Sequence, residues 1–304
     1  MRCYRAYAKL NLTLDIVGLL PNGYHAMDML MQSISLHDTL CLERAGELSL
    51  RVEGGNLPVV PENLVLRAAR LLQEQTGCRQ GVRARLVKRI PVEAGLGGGS
   101  ADAAAALVGL NELWGLGLSQ EALLELGGRL GADVPFCIRG GTARATGSGT
   151  TLQPLSGSLP LHFALCQPCA GLPTKAVFRA YDEAAFRPGK RFTPSALEAL
   201  ANADLHGLGP ALGNGLEPAA CALEGGVLQG LKALEDLGAL AARMSGSGSA
   251  VFGLFEDEDC ARAAAARLAD AFGNGFYAKA VDCGVEARAE GQARAGECAK
   301  EEAE

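Results

Sequence analysis

Polar and apolar residues alternate loosely from Tyr4 to Gly18, the period of a strand with one covered face. Pro21-Asn22-Gly23 then marks a turn. Met29 to Leu42 predicts a second strand, with Asp38 near a bend, and Glu47 to Glu53 a third. Leu64, Ala68, Leu71 and Leu72 recur at helical spacing, which predicts a helix over 64–75 entered through Pro61-Glu62-Asn63. Gly81 to Lys88 alternates again and delivers the chain to a glycine-rich loop. Beyond that loop, Ala101 to Leu113 is helical and stops at Gly115 to Gly117. Gln120 to Leu130 follows as another helix, interrupted by a turn at Gly131 to Phe136, and Thr142 to Pro154 predicts a hairpin.

A second set of elements starts at Leu161. The strand His162–Cys166 leads to helices near Thr174–Ala180, Ser195–Ala201 and Leu216–Leu237. Strands Ala241–Met244 and Ala250–Phe255, a helix over Glu258–Ala271 and a strand at Phe276–Cys283 complete it. This order predicts an α+β chain of two domains, 1–158 and 159–284, the second a small sandwich. Residues 285–304 contain almost no large apolar side chain, which predicts a disordered tail.

The loop itself reads Pro91-Val92-Glu93-Ala94-Gly95-Leu96-Gly97-Gly98-Gly99-Ser100 and runs into Ala101. Four glycines in five positions let a ligand approach the backbone. Ser100 is a favourable N-cap, so the helix is expected to begin just after it. A helix start offers unpaired N–H groups and the positive end of a dipole, which is an anion site, and a nucleotide polyphosphate is the usual anion. A Walker loop would need a lysine and a hydroxyl residue after the last glycine, and a dinucleotide fingerprint would need a glycine at position 100 or 102. Ser100 and Asp102 stand there instead.

Size and composition narrow the class. With 304 residues the chain is long enough for two cores, and 48% apolar with 20% charged residues fits a globular protein. A net charge of −6 predicts no nucleic-acid partner and no anionic-membrane surface. No apolar run approaches the roughly 18 residues of a membrane span. The N-terminus enters a strand pattern without a signal or transit segment, which predicts the cytoplasm. The ten cysteines are scattered and are expected to be reduced, mostly as small core residues. Cys166-Gln167-Pro168-Cys169 lacks the second ligand pair a zinc site needs, so no metal site is expected.

Four more segments could carry chemistry. Met244-Ser245-Gly246-Ser247-Gly248-Ser249 is either a flexible hairpin turn or, paired with the first loop, a second wall of one polyphosphate pocket. Lys9 and Asn11 share one face of the first strand, opposite Leu10 and Leu12; a solvent face and a pocket face explain this equally. Asp133, between Gly131-Ala132 and Val134-Pro135-Phe136, suits a turn or a site carboxylate, and its local context favours the turn. Tyr24-His25 could hold a flat ring or sit on an ordinary exposed loop.

Taken together, these segments resemble the GHMP kinases, whose signature P-x-x-x-G-L-G-[SG]-[SG]-[SA] matches Pro91 to Ser100. Within that family, Ala8-Lys9-Leu10-Asn11-Leu12, Pro21-Asn22-Gly23-Tyr24-His25, Pro61-Glu62-Asn63-Leu64, Gly131-Ala132-Asp133-Val134-Pro135-Phe136 and Met244 to Ser249 resemble the branch whose acceptor carries cytidine diphosphate. The likeness runs in order from about residue 6 to 283. It implies an N-terminal domain like the second domain of ribosomal protein S5 and a ferredoxin-like C-terminal α/β sandwich.

The resemblance further implies ATP as co-substrate with Mg2+, and phosphorylation of the 2-hydroxyl of 4-diphosphocytidyl-2-C-methyl-D-erythritol in the non-mevalonate route to isoprenoid precursors, acting as a monomer or homodimer. Carried over by position, Asp133 would be the catalytic carboxylate and Lys9 its cationic neighbour. Asn63, Lys88 and Pro91, Val92, Glu93, Ala94, Gly95, Leu96, Gly97, Gly98, Gly99, Ser100 and Ala101 would meet ATP. Asn11 and Thr174 would contact the sugar-alcohol and diphosphate parts, Tyr24 and Phe178 would stack on the base, and His25 would read its edge. Ser245, Gly246, Ser247 and Gly248 form the second loop. Three departures stand out: Glu93 where small residues are usual, Ala101 in place of a serine, and Gly215 in place of an aspartate. Glu93 is expected to point to solvent, and Asp102 to be a first-turn residue and not a metal ligand.

Overall fold

A computed structural model of the chain describes residues 1–54, 63–156, 159–184 and 191–288. Pro61 and Glu62, the expected domain boundary at 158 and residues 289–304 lie outside the described residues. The first half contains β1 (Arg2–Leu19), β2 (His25–Ala45), β3 (Leu48–Glu53), α1 (Leu64–Thr76), β4 (Gly81–Val87), α2 (Gly98–Trp114), α3 (Gln120–Leu130), α4 (Val134–Arg139), β5 (Thr142–Gly147) and β6 (Thr151–Pro154). The second half contains β7 (His162–Cys166), α5 (Thr174–Glu183), α6 (Thr193–Ala201), α7 (Leu205–Ala211), β8 (Gly213–Asn214), α8 (Glu217–Leu223), α9 (Gly225–Asp236), β9 (Ala241–Met244), β10 (Val251–Phe255), α10 (Glu258–Phe272), β11 (Phe276–Lys279) and β12 (Val285–Ala287).

Strands β12-β1-β2-β4-β3 form the spine of one sheet, to which β5, β6 and β8 are added. Long β1 and β2 pair antiparallel over nearly their whole length. Three register irregularities in β1, at Tyr7/Ala8, Asn11/Thr13 and Ile16/Gly18, re-aim successive side chains, and Lys9 and Asn11 lie between the first two. Helix α2 packs on β1 and β2 and also on α1, α3 and α4, so its alanines are buried all round, and at Gly109 it approaches the sheet so closely that a Cβ would lie 2.7 Å from side-chain atoms of Leu42 and Tyr4. The second sheet is antiparallel in the order β11-β7-β10-β9, with α9 and α10 packed on it. That order is the ferredoxin-like arrangement the resemblance implied.

Three expectations are corrected. Residues 285–287, placed in the tail by their polar composition, form β12 and pair with Tyr4 to Ala6 through backbone bonds that need no apolar pattern. The segment 216–237 is two helices, because Glu224 leaves helical geometry and its carboxylate accepts from the Gly226 N–H to cap the second. Cys3 and Cys41, expected reduced, are joined by a disulfide. They stand directly opposite each other on β1 and β2, with Cα atoms 4.0 Å apart. Cys166 and Cys169 are free, as expected. Titration of the denatured, unreduced protein should therefore count eight thiols, the ten cysteines less this pair. A count of ten would contradict the pairing.

Candidate active site

The two glycine loops are built against each other. Loop 91–97 enters α2 at Gly97, which takes a left-handed conformation (φ 70°) as N-cap. The helix therefore starts at Gly98, three residues earlier than Ser100 capping implied, because glycine supplies the turn that a side-chain cap would otherwise fix. Its first intrahelical bond runs from the Ala101 N–H to the Gly97 carbonyl, leaving the N–H groups of Gly98, Gly99 and Ser100 without an intrahelical partner. The second loop joins β9 to β10. The Ser245 hydroxyl donates to the Gly95 carbonyl at 3.0 Å and accepts from the Asn11 N–H at 3.2 Å. The Ala250 N–H donates to the Ala94 carbonyl, and the Lys9 N–H to the Leu96 carbonyl, both at 3.0 Å. Strand β1, the first glycine loop and the second loop thus form one hydrogen-bonded unit.

A cavity of about 600 Å³ runs along the first loop. It is lined by Asn63, Lys88, every residue from Pro91 to Ser100, and Asp102. Asn63 caps α1, its side-chain oxygen accepting from the Val65 N–H at 2.9 Å. Ala101, expected among the nucleotide contacts, is buried in the core and does not line this cavity. Glu93 is exposed, at φ 54°, but it does not simply point to solvent, since it lines this cavity and the next.

Lys88 is not a free cation. Its ammonium is bonded to Asp38 and, at 2.7 Å, to Asp102, and all three groups are buried. Asp38 also accepts from the N–H groups of Arg89 and Ile90. Burial alone would depress the Lys88 pKa, but the two carboxylates outweigh it and raise it. Asp102, expected in the first turn, sits one turn further along because the helix starts early; burial first, and the charge of Asp38 second, push its carboxyl well above the usual range.

Lys88→Met would leave two buried carboxylates facing each other, at an expected cost of about 3–5 kcal/mol at neutral pH. The sign with pH follows from the raised carboxyl. It favours folding while protonated and stops doing so as pH rises through its folded pKa, so the cost should shrink on acidification. Denaturant midpoints at neutral and acidic pH measure this, and a pH-independent loss would contradict the arrangement.

A second cavity, of about 290 Å³, shares Glu93, Gly95 and Gly97 with the first and continues to Lys9, Asn11 and Asp133. The face of β1 that carries Lys9 and Asn11 is a pocket face, since both are under 5% exposed. The Lys9 ammonium donates to the Asn11 side-chain oxygen at 2.5 Å and lies 3.4 Å from the Asp133 carboxylate. Asp133 occupies the N-cap position of α4, yet its side chain makes no cap bond. It is both the turn residue its context suggested and a carboxylate left available to the cavity.

A third cavity, of about 620 Å³, shares Met27, Ala132, Ser148, Thr174 and Phe178 with the second. Thr174 and Ser247 link their hydroxyls at 2.9 Å, tying α5 to the second loop. The expected stacking walls, Tyr24 and Phe178, both line this cavity. Tyr24 is 70% exposed, while the His25 ring lies on Phe178 with centroids 4.8 Å apart. Two contributors were not identified from sequence. Asn214 donates from its amide to the carbonyls of Met244 and Gly246 at 2.8 Å and so fixes the second loop. Asp182 meets the imidazole of His25; its spacing of four from Phe178 was the available signal.

Models of the N-terminal and C-terminal domains of GHMP kinases match residues 63–141 and 196–274. The chain is 48% identical over 264 residues to the 4-diphosphocytidyl-2-C-methyl-D-erythritol kinase of Pelotomaculum thermopropionicum, covering 86% of this chain and 92% of that one. A crystal structure of 4-(cytidine 5'-diphospho)-2C-methyl-D-erythritol kinase superimposes with a TM-score of 0.78 at 38% identity, over 91% of this chain and 98% of that one. Homoserine kinase from Cytophaga hutchinsonii shares the fold, with a TM-score of 0.72 at 20% identity over 94% and 97% of the two chains.

Proposed function

The chain belongs to the GHMP kinases, and from that premise we propose that it transfers the γ-phosphoryl group of ATP to the 2-hydroxyl of 4-diphosphocytidyl-2-C-methyl-D-erythritol. The observation that carries this reading is the chain of three adjoining cavities, with Lys9 and Asp133 in the middle one. The triphosphate occupies the cavity along the first loop, where the N–H groups of Gly98 to Ser100 face its oxygens. The acceptor is long, and its cytidine and methylerythritol ends fill the two cavities on either side of Thr174.

In the reaction, the Asp133 carboxylate takes the proton of the attacking hydroxyl, whose oxygen forms the new bond to the γ-phosphorus as the bond to the β-phosphate oxygen breaks and ADP leaves. The Lys9 ammonium, held by Asn11, balances the charge that builds on the attacking oxygen. The Mg2+ that the family resemblance implies would accompany the nucleotide and need few protein ligands. Among the described residues no cluster of three or more carboxylate, histidine or cysteine groups forms a cation cage. The Asp102 oxygen that is buried without a hydrogen-bond partner, with Ser100 beside it in the cavity lining, would hold the ion, which reverses the expectation that Asp102 is not a metal ligand. There the ion would neutralise charge on the triphosphate.

Among the described residues no helix is long and apolar enough to cross a membrane. ADP release measured with the cytidine compound, homoserine, mevalonate and galactose tests the reading. Turnover is expected on the first alone, and turnover on another with none on the first would move the protein to a sister activity.

A further inference from the structure

Helix α5 places Thr174, Phe178 and Asp182 four residues apart, so they share one helical face, and all three line the 620 Å³ cavity. His25 opens β2 directly beside them. Its ring is stacked on Phe178, with planes 25° apart, and meets the edge of Tyr181 at 5.9 Å and 84°. These two contacts fix the plane of the imidazole. Its rotation within that plane is fixed by Nε2, which lies 2.9 Å from the Asp182 Oδ1. A carboxylate can only accept, so the hydrogen of a neutral His25 resides on Nε2. Nδ1 is then a bare acceptor, and among the described residues no protein donor meets it.

We propose that Asp182 is a positioning residue that sets the choice of nucleobase by holding His25 in its Nε2–H form. The inference rests on the cytidine-bearing acceptor proposed above. Cytosine and uracil have nearly the same outline, so a cavity cannot separate them by shape. They differ where cytosine carries a 4-amino donor and uracil a 4-carbonyl acceptor. An acceptor at Nδ1 gains a hydrogen bond from the first and faces a lone pair on the second, which is discrimination by an unfavourable contact as well as a favourable one. Without Asp182 the imidazole can place its hydrogen on Nδ1 and present a donor, which suits uracil.

The test compares kcat and KM for the cytidine diphosphate acceptor and its uridine counterpart in the unaltered protein, Asp182→Ala and Asp182→Asn. The Asp182 side chain is half exposed, so both variants are expected to fold. In Asp182→Ala, KM for the cytidine compound should rise about tenfold with kcat within about twofold, and the cytidine-over-uridine ratio of kcat/KM should fall about tenfold. Asp182→Asn keeps an oxygen that accepts from Nε2–H and should retain most of the ratio. If Asp182 merely supports the cavity wall, KM rises for both acceptors together and the ratio stays fixed, which overturns the proposal. Nitrogen-15 spectra of His25 without substrate give an independent reading: hydrogen on Nε2 supports it, and hydrogen on Nδ1 overturns it. Absence of turnover on the cytidine compound by the unaltered protein would instead sink the functional reading, and this inference with it.

Discussion

Replacing Asp133 with Asn is expected to lower turnover of the cytidine-bearing acceptor about 10²–10⁴-fold while ATP affinity stays unchanged. The two halves of that result come from different parts of the site. Asp133 lines the middle cavity with Lys9 and is absent from the lining of the cavity along the first glycine loop, so it makes no contact with a nucleotide seated there. The amide keeps the size and the turn, since no cap bond depends on the carboxylate. What it loses is the ability to take a proton. Steady-state kinetics with calorimetric titration of an ATP analogue measure both halves. Turnover near that of the unaltered protein would remove Asp133 as the proton acceptor and leave Lys9 with proton transfer to the phosphate.

Gly95→Ala is expected to be the most damaging change in the first loop. Gly95 has φ +78°, and a Cβ there would lie 2.1 Å from the Ser245 carbonyl oxygen and 3.1 Å from the Gly248 nitrogen. Both neighbours are backbone, so neither can rotate away. The left-handed conformation adds about 1–3 kcal/mol of strain for a residue with a side chain. The two loops must part, and with them the link through Ser245 that seats Asn11 and hence Lys9. Turnover should fall by at least about 10²-fold, with a lower unfolding midpoint. Gly99→Ala is the matched control. Its Cβ would meet only a Leu64 methyl at 3.4 Å, an ordinary contact, so the unfolding midpoint should hold. A Gly95→Ala protein with unchanged midpoint and turnover would show that the loops do not depend on each other.

Much of this architecture was legible in the sequence where a single element carries its own signal. Gln120–Leu130, His162–Cys166 and Ala241–Met244 have the expected bounds because clear apolar periods end at strong breakers. The start of α2 was misplaced because two features competed, and a glycine in left-handed geometry won over a serine cap. Helix α7, with Pro210 and two glycines inside it, carries little helical signal, and β8 and β12 are too short to show a period. The site shows the same division. Lys9, Asn11 and Asp133 were recognisable as candidates, but alternation names a face without saying what covers it. Lys88 illustrates the harder case. Its two carboxylates come from residues 38 and 102, on different elements, and no local pattern announces that they enclose one ammonium. Asn214 fixes the second loop from thirty residues away or more, through its side-chain amide.

The most direct test of the central claim is a crystal structure with a non-hydrolysable ATP analogue and the cytidine-bearing acceptor together. The γ-phosphate is expected where the first two cavities meet, beside Gly97, with the acceptor 2-hydroxyl about 3 Å from the Asp133 carboxylate and the Lys9 ammonium beside it. A triphosphate bound away from the first loop, or an acceptor hydroxyl distant from both side chains, would contradict the account.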